Sequence, residues 1–143
     1  MKLSTRGRYG IHAMYELALE YGGAPVSIKT IAERRDVPEA YLEQIFAMLR
    51  KDDLVTSVRG AQGGYMLARP PAEIRVGDLL RSLEGGLRLV DCLEDETCTH
   101  ACACPSRAVW KKINDGWTDV VDSITLQDML TEDERPMAQG ESI

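Results

Sequence analysis

Apolar side chains recur at intervals of three and four residues along most of this chain. Ile11, Met14, Leu17, Ala18 and Tyr21 fall on one helical face, which predicts a helix over residues 5–22 stopped by Gly22, Gly23 and Pro25. Ile28, Ile31 and Ala32 follow behind Ser27, whose hydroxyl suits an N-cap. Asp36, Val37 and Pro38 read as a turn. Leu42, Ile45, Phe46 and Leu49 then place a longer helix over about residues 38–51. Two short helices across a tight turn, the second better formed, make the helix-turn-helix pattern.

The pattern then changes period. Residues 54–58 read as a strand, 59–64 as a glycine-rich turn and 65–68 as the returning strand, a hairpin placed where a wing follows a helix-turn-helix. Helical spacing resumes with Val76, Leu79, Leu80 and Leu83 in a helix over 75–84 that Gly85 and Gly86 end. A last long helix opens at Pro105 and Ser106 and runs to about residue 123. Its Trp110, Ile113, Trp117, Val120 and Ile124 are separated by 3, 4, 3 and 4 residues, the seam of a coiled coil. Thr125 and Asp128 form a capping box for a short helix through Met129 and Leu130.

The expected fold is therefore mostly α with a small β-hairpin wing. A winged helix-turn-helix domain covers 1–86, a cysteine-rich cluster-binding loop 87–105, a dimerisation helix with a short C-terminal helix 106–131, and a polar, acidic, disordered tail 132–143. Two tryptophans on one helix, in a chain with a single phenylalanine, are much apolar area for a small core to cover. Burial against a second copy of the same helix is the economical reading, and packing back onto the winged domain is the alternative.

Composition bounds the function classes. A chain of 143 residues fits one compact domain and an appendage. No apolar run approaches the ~20 residues that cross a bilayer. The basic N-terminus has no apolar stretch behind it to act as a signal peptide, so a cytoplasmic chain is expected. There, clustered thiols serve metals or redox chemistry more often than structural disulfides.

The net charge of −6 argues against nucleic acid until its distribution is read. Residues 1–70 carry ten Lys/Arg against eight Asp/Glu, and residues 71–143 carry seven against fifteen. The repulsion from phosphate thus sits in the distal half. Arg6, Arg8, Lys29, Arg34, Arg35, Arg50, Lys51 and Arg59 give the proximal half its basic side chains.

Two stretches carry candidate chemistry. On the helix over 38–51, burial of the apolar face leaves Glu39, Ala40, Tyr41, Glu43 and Gln44 outward. Gln pairs two-pronged with adenine and Glu accepts from the cytosine amine, the carboxylate acting mainly by rejecting wrong bases; the bland alternative is a solvated face. Arg59 beside three glycines suits the narrow minor groove, against a hairpin that merely closes the core.

All four cysteines lie within thirteen residues, spaced Cys92-x5-Cys98-x3-Cys102-x-Cys104. The absence of Cys-x2-Cys knuckles disfavours structural zinc. Irregular spacing in one loop suits an iron–sulfur cluster first, zinc second and redox thiols third. His100 is a further candidate ligand, though a histidine in an acidic loop is more often solvated. Asp91, Glu94, Asp95 and Glu96 oppose the lowered thiol pKa that catalysis needs, and no Ser/His/Asp set or phosphate loop occurs, so no enzyme is expected. His12 reads as structural.

Leu-Ser-Thr-Arg-Gly-Arg-Tyr-Gly at 3–10, Tyr-Leu-Glu-Gln-Ile-Phe at 41–46, Val-Arg-Gly-Ala-Gln-Gly-Gly-Tyr at 58–65 and Asp-Ser-Ile-Thr-Leu-Gln-Asp-Met-Leu at 122–130 are shared marks. With them the chain, from residue 1 to about 130, resembles the family of winged-helix transcription regulators that includes IscR, NsrR, RirA and CymR. The opening and three of the cysteines are most like the IscR type, while the Gly-Arg-Tyr-Gly start and the Leu-Glu-Asp-Glu run are also like CymR. The resemblance implies a homodimer on a double-stranded DNA operator and no membrane partner. It implies an iron–sulfur cluster of the 2Fe–2S type on Cys92, Cys98 and Cys104, with a 4Fe–4S cluster as the variant. The family's histidine ligand falls on Arg107, which cannot ligate iron while charged, so Cys102, His100 or a residue of the partner subunit is left as the fourth ligand. It further implies Tyr41, Glu43 and Gln44 in the groove, Arg59 in the wing, and Thr5 and Arg6 at the DNA backbone. The implied role is repression of iron–sulfur assembly or iron and redox genes, with regulation of cysteine metabolism, cluster-free or with a structural zinc, as the alternative.

Overall fold

The structure is a computed structural model that describes residues 3–88 and 104–133. Cys92, Cys98, Cys102, His100 and the expected tail beyond 133 lie outside the described residues.

Ser4 opens the first helix, α1 (Thr5–Leu19), by accepting the Gly7 amide on its Oγ. This helix is shorter than the apolar spacing suggests. Leu19 and Tyr21 are both half exposed, so the stripe ends at Ala18, and the chain turns through Glu20 before reaching the glycine pair. α2 (Ile28–Arg35) is capped by Ser27 Oγ on the Thr30 amide, as read from the sequence. Asp36 takes the left-handed conformation, φ 53°, to end it, and α3 (Glu39–Lys51) follows at once. Leu42, Ile45, Phe46 and Leu49 are all fully buried, so the face of α3 expected to pack is the face that packs.

β1 (Val55–Val58) and β2 (Gly64–Leu67) pair antiparallel, with Val55 opposite Leu67 and Val58 opposite Gly64. The hairpin is fastened at its far strand: Tyr65 exchanges both backbone hydrogen bonds with Val26, at 2.8 and 3.0 Å, just before the α2 cap. The Tyr65 ring stacks on Phe46 of α3 at 4.5 Å. One wing strand thereby holds both helices of the helix-turn-helix.

α4 (Val76–Glu84) buries Leu79, Leu80 and Leu83 and ends at Gly85, φ 79°. Its C-terminus meets the start of α1. Glu84 accepts from the Ser4 hydroxyl at 2.5 Å, Arg6 Nε donates to the Leu83 carbonyl at 2.7 Å, and a side chain on Gly7 or Gly10 would overlap Glu84 or Leu83. Then come α5 (Arg107–Ser123) and α6 (Leu126–Asp133). The expected capping box closes, with Asp128 accepting the Thr125 amide at 2.9 Å and Thr125 Oγ1 accepting the Asp128 amide at 3.2 Å.

α6 does not extend with α5. It turns back so that Leu126 joins the core of the winged unit beside Met14 and Ile74, and Met129 and Leu130 pack against the same core. The fold is a winged helix-turn-helix, mostly α with one hairpin, as the periodicity indicated. Among the described residues no helix is long and apolar enough to cross a membrane.

Candidate DNA-reading face, seam helix and thiol

The reading face is built by subtraction. Once the apolar stripe of α3 is buried, Glu43, Gln44 and Ala47 stand exposed together with Glu39 and Ala40 at the helix start. Tyr41 is half buried, its ring edge-on to Tyr9 of α1 at 5.9 Å, so it braces α3 against α1. Arg59 is exposed in the wing turn, directly after β1. Thr5 is exposed on the first turn of α1, whereas the Arg6 guanidinium is engaged with the end of α4.

Glu43→Ala is expected to relax base preference at one position by about 1–3 kcal/mol, the scale of a base-edge contact, while total affinity changes less. Competition binding against single-base operator variants measures it; an unchanged preference profile would remove Glu43 from the reading set.

Spacing did not disclose how α2 is held. Among the described residues Glu16 is the one buried charged side chain, and it belongs to α1. Its Oε1 takes Arg35 at 2.7 Å and its Oε2 takes Arg34 at 3.0 Å, while the Arg35 guanidinium lies over the Tyr15 ring at 5.3 Å. α2 has only Ile31 fully buried, so this two-armed ion pair does much of the fastening that apolar area does for α3. Arg34 also lines an open groove with Ser27, Thr30 and Gln62, which brings the wing turn beside the start of α2. Glu16 carried no sequence signal because a lone glutamate on a helix reads as solvated. His12, exposed on the same helix, has its pKa lowered by desolvation and by the charges of Arg35 and Arg8.

The seam helix is largely bare. Trp110, Ile113, Val120 and Ile124 are exposed, as is Val109 beside them. Trp117 is half buried and lines a cavity of about 170 Å³ with Leu3, Leu80 and Leu87, and its buried Nε1 has no hydrogen-bond partner among the described residues. Only Val121 is fully buried, a position the 3,4 spacing omits. The alternative in which the seam packs back onto its own winged unit is therefore met at Trp117 and not along the rest of the stripe. Contiguous exposed apolar side chains of this kind mark an interaction surface.

Cys104 is the one cysteine among the described residues, half buried just before α5. Its Sγ is 3.4 Å from Ser106 Oγ. Hydrogen bonds from Ser106, then the backbone and charge of Arg107, hold the thiol below its ordinary pKa against a partial loss of solvation. The acidic run was expected to push thiols up. At Cys104 the described surroundings push the other way, toward the thiolate that binds metals. Arg107 sits in the first turn of α5.

Residues 3–132 match the family model described as Rrf2, iron-dependent transcriptional regulator. The HTH-type transcriptional regulator CymR of Bacillus subtilis is 45% identical over 131 residues, 92% of this chain and 91% of that protein. The structure of CymR, described as the global cysteine regulator of B. subtilis, superposes with a TM-score of 0.78 at 44% identity, covering 92% of this chain and 98% of that one. T. potens IscR superposes with a TM-score of 0.76 at 48% identity, covering 98% and 94%. These relatives are named as transcriptional regulators, not as enzymes.

Proposed function

The chain belongs to the Rrf2 family of transcriptional regulators, and from that premise we propose that it is a cytoplasmic homodimer that reads a two-fold DNA operator and senses an iron–sulfur cluster, repressing genes of iron–sulfur assembly or iron and redox homeostasis. The observation that carries the sensing half is the gathering of all four cysteines into residues 92–104. Cys104 supports it: Ser106 Oγ, 3.4 Å from its Sγ, helps hold the thiol below its ordinary pKa, the direction that favours a soft-metal ligand. Cys92, Cys98 and Cys104 would hold the cluster, with Cys102 as candidate fourth ligand. When bound, the cluster supplies a link among thiolates that iron supply and oxidants make or break.

The chain's own residues do the rest. Glu43 and Gln44 read base edges, Tyr41 sets α3 against α1, Arg59 reaches from the wing, Thr5 approaches the backbone, and Arg6, its Nε held by the Leu83 carbonyl, approaches it with its remaining nitrogens. The exposed seam of α5 joins two copies, which places two α3 helices on half-sites about one helical turn apart. Cys92, Cys98 and Cys104 lie just ahead of α5 in the sequence, so whether they hold a ligand would bias which dimer arrangement is populated, and DNA occupancy would follow that population.

Protein purified without oxygen is expected to hold iron and sulfide in comparable amounts and to absorb visible light, and Cys104→Ala is expected to lose most of both. Colourless wild-type protein with zinc, or with no metal, would sink the cluster reading while leaving a DNA-binding regulator. The second reading, a regulator of cysteine metabolism without a cluster or with a structural zinc, is favoured by the 45% identity to B. subtilis CymR. That outcome would select it.

A further inference from the structure

The described fastening of α5 lies near its C-terminal end. Near its C-terminus Val121 is buried against α4, and the chain just beyond is stitched to the chain before α4 by two backbone hydrogen bonds, Val76 N to Ile124 O at 2.8 Å and Leu126 N to Ile74 O at 3.0 Å. In the first half of α5 the apolar side chains of Val109, Trp110 and Ile113 are exposed. α5 is thus a lever whose bracket is α4.

That bracket has one directional element. Asp122 receives the Arg81 guanidinium on both oxygens, Nη1 to Oδ1 at 2.8 Å and Nη2 to Oδ2 at 2.6 Å, a two-pronged geometry that fixes orientation as well as distance. Asp78 stands 3.8 Å from Arg81 and steadies it from the same helix. The clasp closes over Gly77, where any Cβ would overlap the Asp122 carboxylate. The interaction also holds the Asp122 carboxyl below the usual carboxylate range and Arg81 above its own. One residue past Arg81, Ser82 donates to the Met48 carbonyl of α3 at 3.3 Å. One turn of α4 therefore grips the seam helix on one side and the reading helix on the other.

The geometry points to Arg81 and Asp122, closing over Gly77, as positioning residues that set the angle between seam helix and reading helix and so the half-site spacing the dimer accepts. This rests on dimerisation through α5. The lever makes the effect measurable. Seventeen residues of helix span about 25 Å, so a tilt of about 10° at the anchored end moves the far end by about 4 Å. One base-pair step is about 3.4 Å, so a small slackening of the clasp is a whole step of register.

The test uses full-length protein and a duplex that the wild type selects from a randomised pool, with its half-sites then moved together or apart by one base pair. The wild type is expected to show a sharp spacing optimum. Asp122→Ala and Gly77→Ala are expected to reduce discrimination between optimal and shifted spacings about fivefold, the scale at which a partly exposed two-pronged ion pair biases an equilibrium. The charge swap Arg81→Asp with Asp122→Arg is expected to restore it, a rescue that a loss of fold stability would not give. If both single variants keep the wild-type optimum and discrimination, the inference is wrong. A wild type that occupies lone half-sites with no spacing preference would overturn the dimeric reading as well, a separate and recognisable result.

Discussion

A chain carrying Trp110→Asp and Ile113→Asp is expected to sediment as a monomer at concentrations where the wild type is a dimer, and to bind operator at least about 100-fold more weakly. The magnitude follows from two terms. Each aspartate would bring into an apolar interface a charge with no partner, which costs about 3–5 kcal/mol once the site is buried. The homodimer would carry four such charges, which moves its dissociation constant by more than about three decades, and a monomer engages one half-site alone. In the monomer both positions are open to water, Trp110 at 36% and Ile113 at 47% exposure, so folding stability should shift by no more than about 0.5 kcal/mol. Sedimentation velocity, denaturant unfolding and gel shift separate the three quantities. A double variant that remains dimeric would move the interface off α5, and the exposed stripe would then need another partner.

The face of α3 was legible because four apolar residues at i, i+3, i+4 and i+7 leave one way to bury them. The Ser27 cap and the Thr125–Asp128 box were legible because capping chemistry is local. The end of α1 was not: Tyr21 continues the period but is half exposed, since the backbone has already turned at Glu20. Long-range polar structure was hidden for a different reason. Glu16 meets arginines 18 and 19 residues away, and Asp122 meets one 41 residues away; neither separation has a period to betray it. Gly7, Gly10 and Gly77 sit inside helices, where they weaken the local signal, and only their neighbours explain them: each lies where a side chain would collide with a group from another element. The candidate site follows the same division. The exposure of Glu43 and Gln44 and the apolar stripe of α5 could be read from pattern, whereas the contacts from α4 to α3 and α5 depend on tertiary structure.

The wing offers the second large effect. Gly64→Ala is expected to lower unfolding free energy by about 3 kcal/mol and to weaken operator binding about tenfold or more. At Gly64 a methyl group would overlap the Val26 carbonyl, a backbone group that cannot rotate away as a side chain does. The strand must therefore withdraw from Val26. Withdrawal breaks the paired hydrogen bonds between Val26 and Tyr65, each worth about 1 kcal/mol, and disturbs the Tyr65 ring stacked on Phe46. Because Val26 immediately precedes the Ser27 cap and Phe46 is a core residue of α3, the damage reaches both α2 and α3, and the wing turn that carries Arg59 loses its anchor. The same methyl group would also crowd the Ser27 amide, so the loss would report the close approach of this strand to the Val26–Ser27 backbone. Denaturant unfolding gives the stability, and amide exchange at Val26 and Tyr65 shows whether that bridge is the part that opens. A variant within about 0.5 kcal/mol of wild type, with both amides still protected, would mean that the wing is held by its ring stack and not by its backbone.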